Sequence, residues 1–213
     1  MSVCILSLDL LKAYDRIYLP FLLSVMRKMG FGNTFCSWMK MLHLDASTRF
    51  VLVKLSREIS VSFSIRQGDP LAMLLFIIYI EPLLIYIERR AKGLPLLRPL
   101  ASPSGNEVVQ CVEAYCDDLN VITDNDSDLL LVDCAGRKFE ALSGTILYRN
   151  QKCKILGFGS WRQRKNWPLH YVQCVQEIKI FGVFLLNSYV QTLNRNWDYR
   201  YRKFEQSIFS WSS

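Results

Sequence analysis

The chain has 213 residues, 51% of them hydrophobic and 21% charged, a balance that excludes a disordered segment, a collagen-like repeat and a disulfide-stapled mini-protein. Its 26 Lys and Arg against 19 Asp and Glu give a net charge of +7, which is compatible with a polyanionic partner or an anionic membrane surface and selects neither. The placement is uneven. No Lys or Arg lies between Pro99 and Gly136, where Glu107, Glu113, Asp117, Asp118, Asp124, Asp126, Asp128 and Asp133 accumulate, whereas Arg149 to Lys203 holds eleven cations and two acids.

Along the chain, Val3–Leu8 reads as a short apolar strand ending at Asp9. Apolar residues recur at helical spacing over Leu19–Met29 and Thr34–Leu44, with the turn Gly30-Phe31-Gly32-Asn33 between them. Arg49–Leu55 and Glu58–Ile65 alternate as the arms of a hairpin bending at Ser56-Arg57. The punctuation Arg66-Gln67-Gly68-Asp69-Pro70 then leads into Leu71–Ile87, 17 residues that are almost wholly apolar. Glu81 and Pro82 stand near its middle, and a mid-bilayer carboxylate costs roughly 2.5–3.5 kcal/mol. A buried core helix bent at Pro82 is therefore predicted, and no membrane partner.

Leu94–Glu107, with Pro95, Pro99, Pro103 and Gly105, reads as a loop. Val108–Tyr115 and Leu119–Thr123 are strand-like runs separated by Cys116-Asp117-Asp118. Asn125–Leu142 has the Asn/Asp caps and closing Gly144 of a helix, and Lys154–Phe158 and Glu177–Leu185 read as further strands. Tyr189–Trp211 is predicted to be an amphipathic helix with Trp197, Tyr201, Phe204, Ile208 and Trp211 as its apolar stripe. Hairpins mixed with helices, rather than a regular βαβ series, predict an α+β fold. Seven scattered cysteines without a CxxC, and only His43 and His170 beside them, make no zinc site of usual spacing. Reduced thiols are expected, and the N-terminus lacks the marks of a secretory leader, so a nuclear or cytoplasmic location is expected.

Two placements of acids are hard to explain by stability. Asp9 ends an apolar strand, and Asp117-Asp118 sits at the tip of a hairpin. Adjacent residues in a regular strand face opposite ways, but a tight turn breaks that alternation. If the strands are neighbours in one sheet, three carboxylates converge, and a hard divalent cation such as Mg²⁺ relieves their repulsion. By itself an Asp-Asp turn is commonplace, because Asp favours turns. Asp15 reads as a partner for Arg16 or a backbone cap.

The motifs together resemble a known family. SLDLLKAYDRI (Ser7–Ile17) resembles the first palm motif of reverse transcriptases, and SIRQGDPLAMLLFIIYIEPL (Ser64–Leu83) the RQG block of the LINE-type, non-LTR retrotransposon enzymes. AYCDDLNVI (Ala114–Ile122) is similar to their aromatic-x-Asp-Asp hairpin. ALSGTILYRNQKCKILGFG (Ala141–Gly159) resembles the SG…K-x-K block, and EIKIFGVF (Glu177–Phe184) the strand called the primer grip. Five motifs in order span residues 3–186.

The resemblance implies a reverse-transcriptase palm, an antiparallel sheet packed on helices, with incomplete fingers and the start of a thumb. It places the palm at 1–186 and the thumb-leading helix at 187–213. It implies an RNA-directed DNA polymerase acting on an RNA template, a DNA primer and dNTP, with two Mg²⁺ ions, for which Mn²⁺ could substitute. Asp9 and Asp117 would be the principal ligands and Asp118 a secondary one. Tyr14 would be the steric gate against a 2′-OH, or else an ordinary core aromatic. Leu10, Leu11 and Ala13 would offer backbone near the triphosphate. Gln67 and Gly68 would contact nucleotide and template, although Gln67 alone could cap the following helix. Lys152, or otherwise Lys154, would protonate the leaving pyrophosphate, unless it is solvated surface charge.

Asp69 and Cys116 depart from the family pattern, Asp69 by adding a negative charge beside the nucleotide site. The first Asp comes eight residues into the chain, so a truncated palm is expected, from a retrotransposon remnant or an incomplete gene model. The alternative is a catalytically silent remnant that binds RNA or RNA–DNA duplex through Arg149–Lys203, with Trp161, Trp167, Tyr171 and Trp197 stacking on bases. An unrelated two-metal nuclease or a membrane-associated protein is a further alternative.

Overall fold

The computed structural model describes residues 2–43, 46–49, 51, 55–57, 59–61, 65, 68–95, 109–115, 118–149 and 152–211. In chain order they form β1 (Ser2–Asp9), one 3-10 turn (Tyr14–Arg16), α1 (Leu19–Lys28), α2 (Asn33–His43), β2 (Ala46–Thr48), β3 (Ile59–Val61) and α3 (Ala72–Glu88). Then follow β4 (Leu94–Pro95), β5 (Val109–Gln110), β6 (Val112–Tyr115), β7 (Asp118–Thr123), α4 (Asp126–Ser143) and β8 (Lys154–Gly159). The chain closes with β9 (Gln173–Cys174), β10 (Glu177–Ile180), β11 (Val183–Leu186) and α5 (Tyr189–Trp211). Two compact units result. One comprises Met1–Leu8, Lys92–Leu130 and Arg149–Ser213, and the other Asp9–Ala91 and Leu131–Tyr148.

The first unit is built on a five-stranded sheet in the order β6-β7-β1-β8-β9. β1 runs antiparallel to β8, from Ser2 opposite Gly159 to Ser7 opposite Lys154, and β9 adds in parallel. Central strands covered on both faces need apolar residues at successive positions, not alternate ones. Cys4, Ile5 and Leu6 on β1, Leu119 and Val121 on β7, and Ile155 and Leu156 on β8 are all buried. Burial pushes the Cys4 thiol up to about 12, so it packs as a neutral apolar group. Ile5, Leu156 and Ile178 form a core closed by Ile122, Phe158, Val175, Ile180 and Leu185.

A second constraint in this unit is Arg164. Its guanidinium bonds both carboxylate oxygens of Asp126, at 2.8 and 2.6 Å, and lies 4.8 Å from the Trp161 ring and 4.6 Å from that of Trp167. The two indoles meet edge to face at 5.5 Å. Asp126 opens α4, where a carboxylate is also favoured by the helix dipole.

The second unit packs α1, α2 and α3. α1 has Pro20 at its start, buries Leu19, Leu22, Leu23, Val25 and Met26, and ends at Gly30, whose φ of +90° only glycine adopts readily. α3 carries Pro82 inside it and buries Phe76, Tyr79 and Ile80 with their neighbours. The core-helix reading holds. Among the described residues no helix is long and apolar enough to cross a membrane.

Three readings are corrected. Val51 bridges Leu55, so the first hairpin does not bend at Ser56-Arg57; its arms pair earlier, at Ala46–Thr48 with Ile59–Val61. Asp118 belongs to β7 and pairs with Tyr115, so it is a strand residue. Glu177–Leu185 is a hairpin turned at Phe181-Gly182, whose φ values of +50° and +81° match the strand twist. The apolar stripe of α5 is exposed at Trp197, Tyr201, Phe204 and Ile208. The helix seats its polar side instead: Asn196 bonds both backbone groups of Phe184, at 2.9 and 2.7 Å, and Arg195 pairs with Glu177 at 2.8 Å.

A Cβ at Gly157, in the middle of β8, would run into the backbone carbonyl of Trp161. Gly157→Ala is expected to cost about 2 kcal/mol, as an overpacked core does. The measurement is the urea midpoint at constant m-value; a midpoint equal to that of the parent chain would contradict this packing.

Candidate functional site

In the second unit, Asp9 is the half-buried last residue of β1. Its carbonyl accepts the Tyr148 N–H at 2.9 Å, Leu10 bridges Leu147, and the Leu11 N–H donates to the Ile146 carbonyl at 2.9 Å. The segment leaving β1 is therefore held by the segment leaving α4. Leu10 and Ala13 are buried and Leu11 is half-buried. Lys12 takes a φ of +48°, which reverses the chain into the single turn at Tyr14. The half-buried Tyr14 ring lies 5.1 Å from Phe76, tilted by 38°, and its carbonyl accepts the Ile65 N–H at 3.1 Å.

Gly68 is exposed with a φ of +93° and open space where a Cβ would stand, a turn that leaves the backbone approachable. Asp69 closes the entry to α3 by accepting the Leu71 N–H at 2.8 Å. Its other oxygen lies 3.6 Å from Nε2 of the buried His43. The added negative charge at Asp69 thus faces an imidazole, a partner 26 positions earlier that no local pattern discloses. Gln67 lies outside the described residues.

In the first unit, Asp118 is exposed at the start of β7. The strand's far end is fixed by Asp128, which is buried. Burial pushes this carboxyl up, but the N–H groups of Lys92 and Gly93, the Thr123 hydroxyl and the Asn125 amide outweigh it and hold it below the ordinary carboxylate value. Asp117 lies outside the described residues. Lys152 is exposed just before β8, and Lys154, also exposed, is the first residue of β8.

The sheet order sets β7 beside β1, so the strand that ends in Asp9 neighbours the strand that begins with Asp118. Carboxylate oxygens are the hard donors that Mg²⁺ takes. Among the described residues no group of three potential ligands is gathered.

The acids and aromatics of the charge split have several structural duties. Asp126 pairs with Arg164, Asp133 with Arg137 at 2.9 Å, and Asp128 caps and staples. Trp167 is buried and shares Arg164 with Trp161, and Arg149 lies 5.8 Å from the Tyr171 ring. Of the four interleaved aromatics only Trp197 is exposed, which corrects their reading as a stacking set. A basic-aromatic cluster does exist elsewhere. Lys179 lies 4.8 Å and Lys203 5.2 Å from the Tyr199 ring, and Lys203 and Lys179 hold the Tyr199 phenol below its ordinary value.

Residues 1–183 match the family described as reverse transcriptase (RNA-dependent DNA polymerase). The chain belongs to that family. It is 29% identical over 171 residues to the transposon TX1 uncharacterized 149 kDa protein of Xenopus laevis, covering 78% of this chain and 11% of that one. It is 27% identical over 135 residues to the retrovirus-related Pol polyprotein of the type-1 retrotransposable element R2 of Popillia japonica, covering 62% of this chain and 21% of that one. These matches support the LINE-type resemblance, and the chain spans at most about a fifth of those relatives' length. Apo telomerase from Candida tropicalis has the same fold over 87% of this chain and 34% of its own, with a TM-score of 0.60 at 12% identity. The fold is the reverse-transcriptase palm, mixed α and β with an antiparallel-dominated sheet, as the motifs led one to expect.

Because the folded-state value of Asp128 is lowered, the stability it contributes is present above about pH 4, the ordinary carboxylate value, and is lost as the pH falls through the lowered one. Asp128→Asn is expected to cost about 2 kcal/mol at pH 7 and to flatten the acid-side decline. Urea titrations at pH 7, 4 and 3 read both effects; an equal decline in both proteins would contradict this.

Proposed function

We propose that this chain forms the nucleotidyl-transfer centre of an RNA-directed DNA polymerase of a non-LTR retrotransposon, joining a dNTP to a primer 3′-OH on an RNA template. The observation that carries the reading is the neighbouring of β1 and β7, the one ending in Asp9 and the other starting at Asp118. Asp9 and Asp117 would hold the ions, with Asp118 beside them. When bound, two divalent ions activate the primer hydroxyl and neutralise the leaving pyrophosphate. The 3′-oxygen attacks the α-phosphorus, its proton leaves, and pyrophosphate departs.

The remaining residues bind and orient. Backbone groups of Leu10, Leu11 and Ala13 line the triphosphate, and the Tyr14 ring lies under the sugar, where a 2′-OH would meet it. Gln67 and Gly68 place nucleotide and template. Lys152, or Lys154 in its stead, gives the departing pyrophosphate its proton, as a cation near anions can. The Lys179–Tyr199–Lys203 cluster supports a second, coarser reading, in which an inactive chain still binds RNA or RNA–DNA duplex by phosphate contacts.

Primer extension on an RNA template with Mg²⁺ separates these readings. Extension is expected, and Asp9→Ala or Asp117→Ala should each lower it about a thousandfold, or ~4 kcal/mol of barrier. Tyr14→Ala should raise ribonucleotide incorporation. No extension by folded chain would leave only the binding reading, and extension surviving both Asp substitutions would sink the carboxylate assignment. For that second reading, duplex binding should weaken with salt, and Lys179→Ala should reduce the log–log salt slope by about one.

A further inference from the structure

Tyr79 is fully buried in the second unit, on α3, and its hydroxyl is a junction. It donates to the Ser143 carbonyl at 2.5 Å and accepts from the Thr145 hydroxyl at 3.0 Å and from the Tyr18 N–H at 3.4 Å. Its ring is fixed by edge-to-face contacts with Phe21 at 5.4 Å and Phe139 at 5.7 Å. Ser143 and Thr145 are themselves buried, so the junction has no water to fall back on.

Beyond Thr145 the chain reaches the residues that hold Asp9. Ile146 accepts from Leu11, Leu147 lies opposite Leu10, and Tyr148 donates to the Asp9 carbonyl. Leu147 is further pinned by Glu140, which accepts its N–H at 2.6 Å. Tyr18 closes the same stretch at its far end. The segment from Asp9 to Tyr18 is therefore tied to this phenol directly at Tyr18 and, at Asp9, through the stretch Thr145 to Tyr148. One turn earlier on α3, Phe76 packs on Tyr14.

We propose that Tyr79 is a positioning residue for nucleotidyl transfer, setting the place of Asp9 and the tilt of Tyr14 without touching substrate. This rests on the reading of Asp9 as a metal ligand and Tyr14 as the sugar gate. Tyr79→Phe removes one oxygen atom and keeps the ring in its aromatic nest. Thr145→Val breaks the same junction from the other side, and Thr145→Ser retains the hydroxyl.

The test measures Mn²⁺ affinity by electron paramagnetic resonance and amide hydrogen exchange in each variant. With Tyr79→Phe and Thr145→Val, Mn²⁺ affinity is expected to fall about tenfold, as when a partner behind a metal ligand is removed. The Leu11 and Tyr148 amides should exchange about tenfold faster, while the β8 amides do not change, and Thr145→Ser should restore both readouts. A lower melting temperature with unchanged Mn²⁺ affinity in both variants would overturn the proposal and leave Tyr79 a packing residue. Asp9→Asn in the same assay isolates the underlying reading. If it leaves the affinity unchanged, Asp9 is no ligand; if it weakens binding while Tyr79→Phe does not, the positioning role alone fails.

Discussion

Strand β1 has a hydrogen-bonded neighbour on each edge, β7 on one and β8 on the other. That double pairing leaves it little freedom. Its residues are buried on both faces, so no alternation remains to tolerate a slip, and a one-residue shift would misplace every side chain it carries. Six consecutive pairs with β8, from Ser2–Gly159 to Ser7–Lys154, fix the register. Asp9 is the residue at which this apolar strand ends, so the sheet sets where its backbone lies. The register in turn depends on a bare Gly157, because the carbonyl of Trp161 occupies the space a side chain would need.

The charge split acquires a different meaning once partners are known. Asp126 and Arg164, one from the acidic centre and one from the basic tail, neutralise each other between two indoles. Asp128 is consumed by backbone donors at the junction of β7, α4 and Lys92–Gly93. The proposed site and phosphate contacts draw on a few of these groups: Asp118 on one strand end, Asp9 on another, and the cationic cluster around Tyr199.

Elements with strong periodicity or clear punctuation were legible from sequence: the apolar strand before Asp9, the Pro-started α1, the long α3, and α4 between Asn125 and Gly144. The Phe181-Gly182 turn was missed because a run of alternating apolar residues masks a two-residue reversal whose only sign is one glycine. Which face of α5 is exposed is not legible in the sequence for another reason. Its inward anchors are Thr192, Asn196 and Arg195, and polar residues that satisfy a neighbouring hairpin look like a solvent face in a helical projection. The candidate site was legible as motifs, but contacts around it, His43 with Asp69 and Tyr79 with Thr145, join residues far apart in sequence and leave no local trace.

Paramagnetic broadening of backbone amide resonances by Mn²⁺ tests most directly the proposal that Asp9 and the start of β7 serve the same cation. Amides at the end of β1 and the start of β7 are expected to broaden together over one Mn²⁺ titration, and Asp9→Asn to abolish both. Broadening confined to one strand, or persisting at β7 in Asp9→Asn, would contradict it.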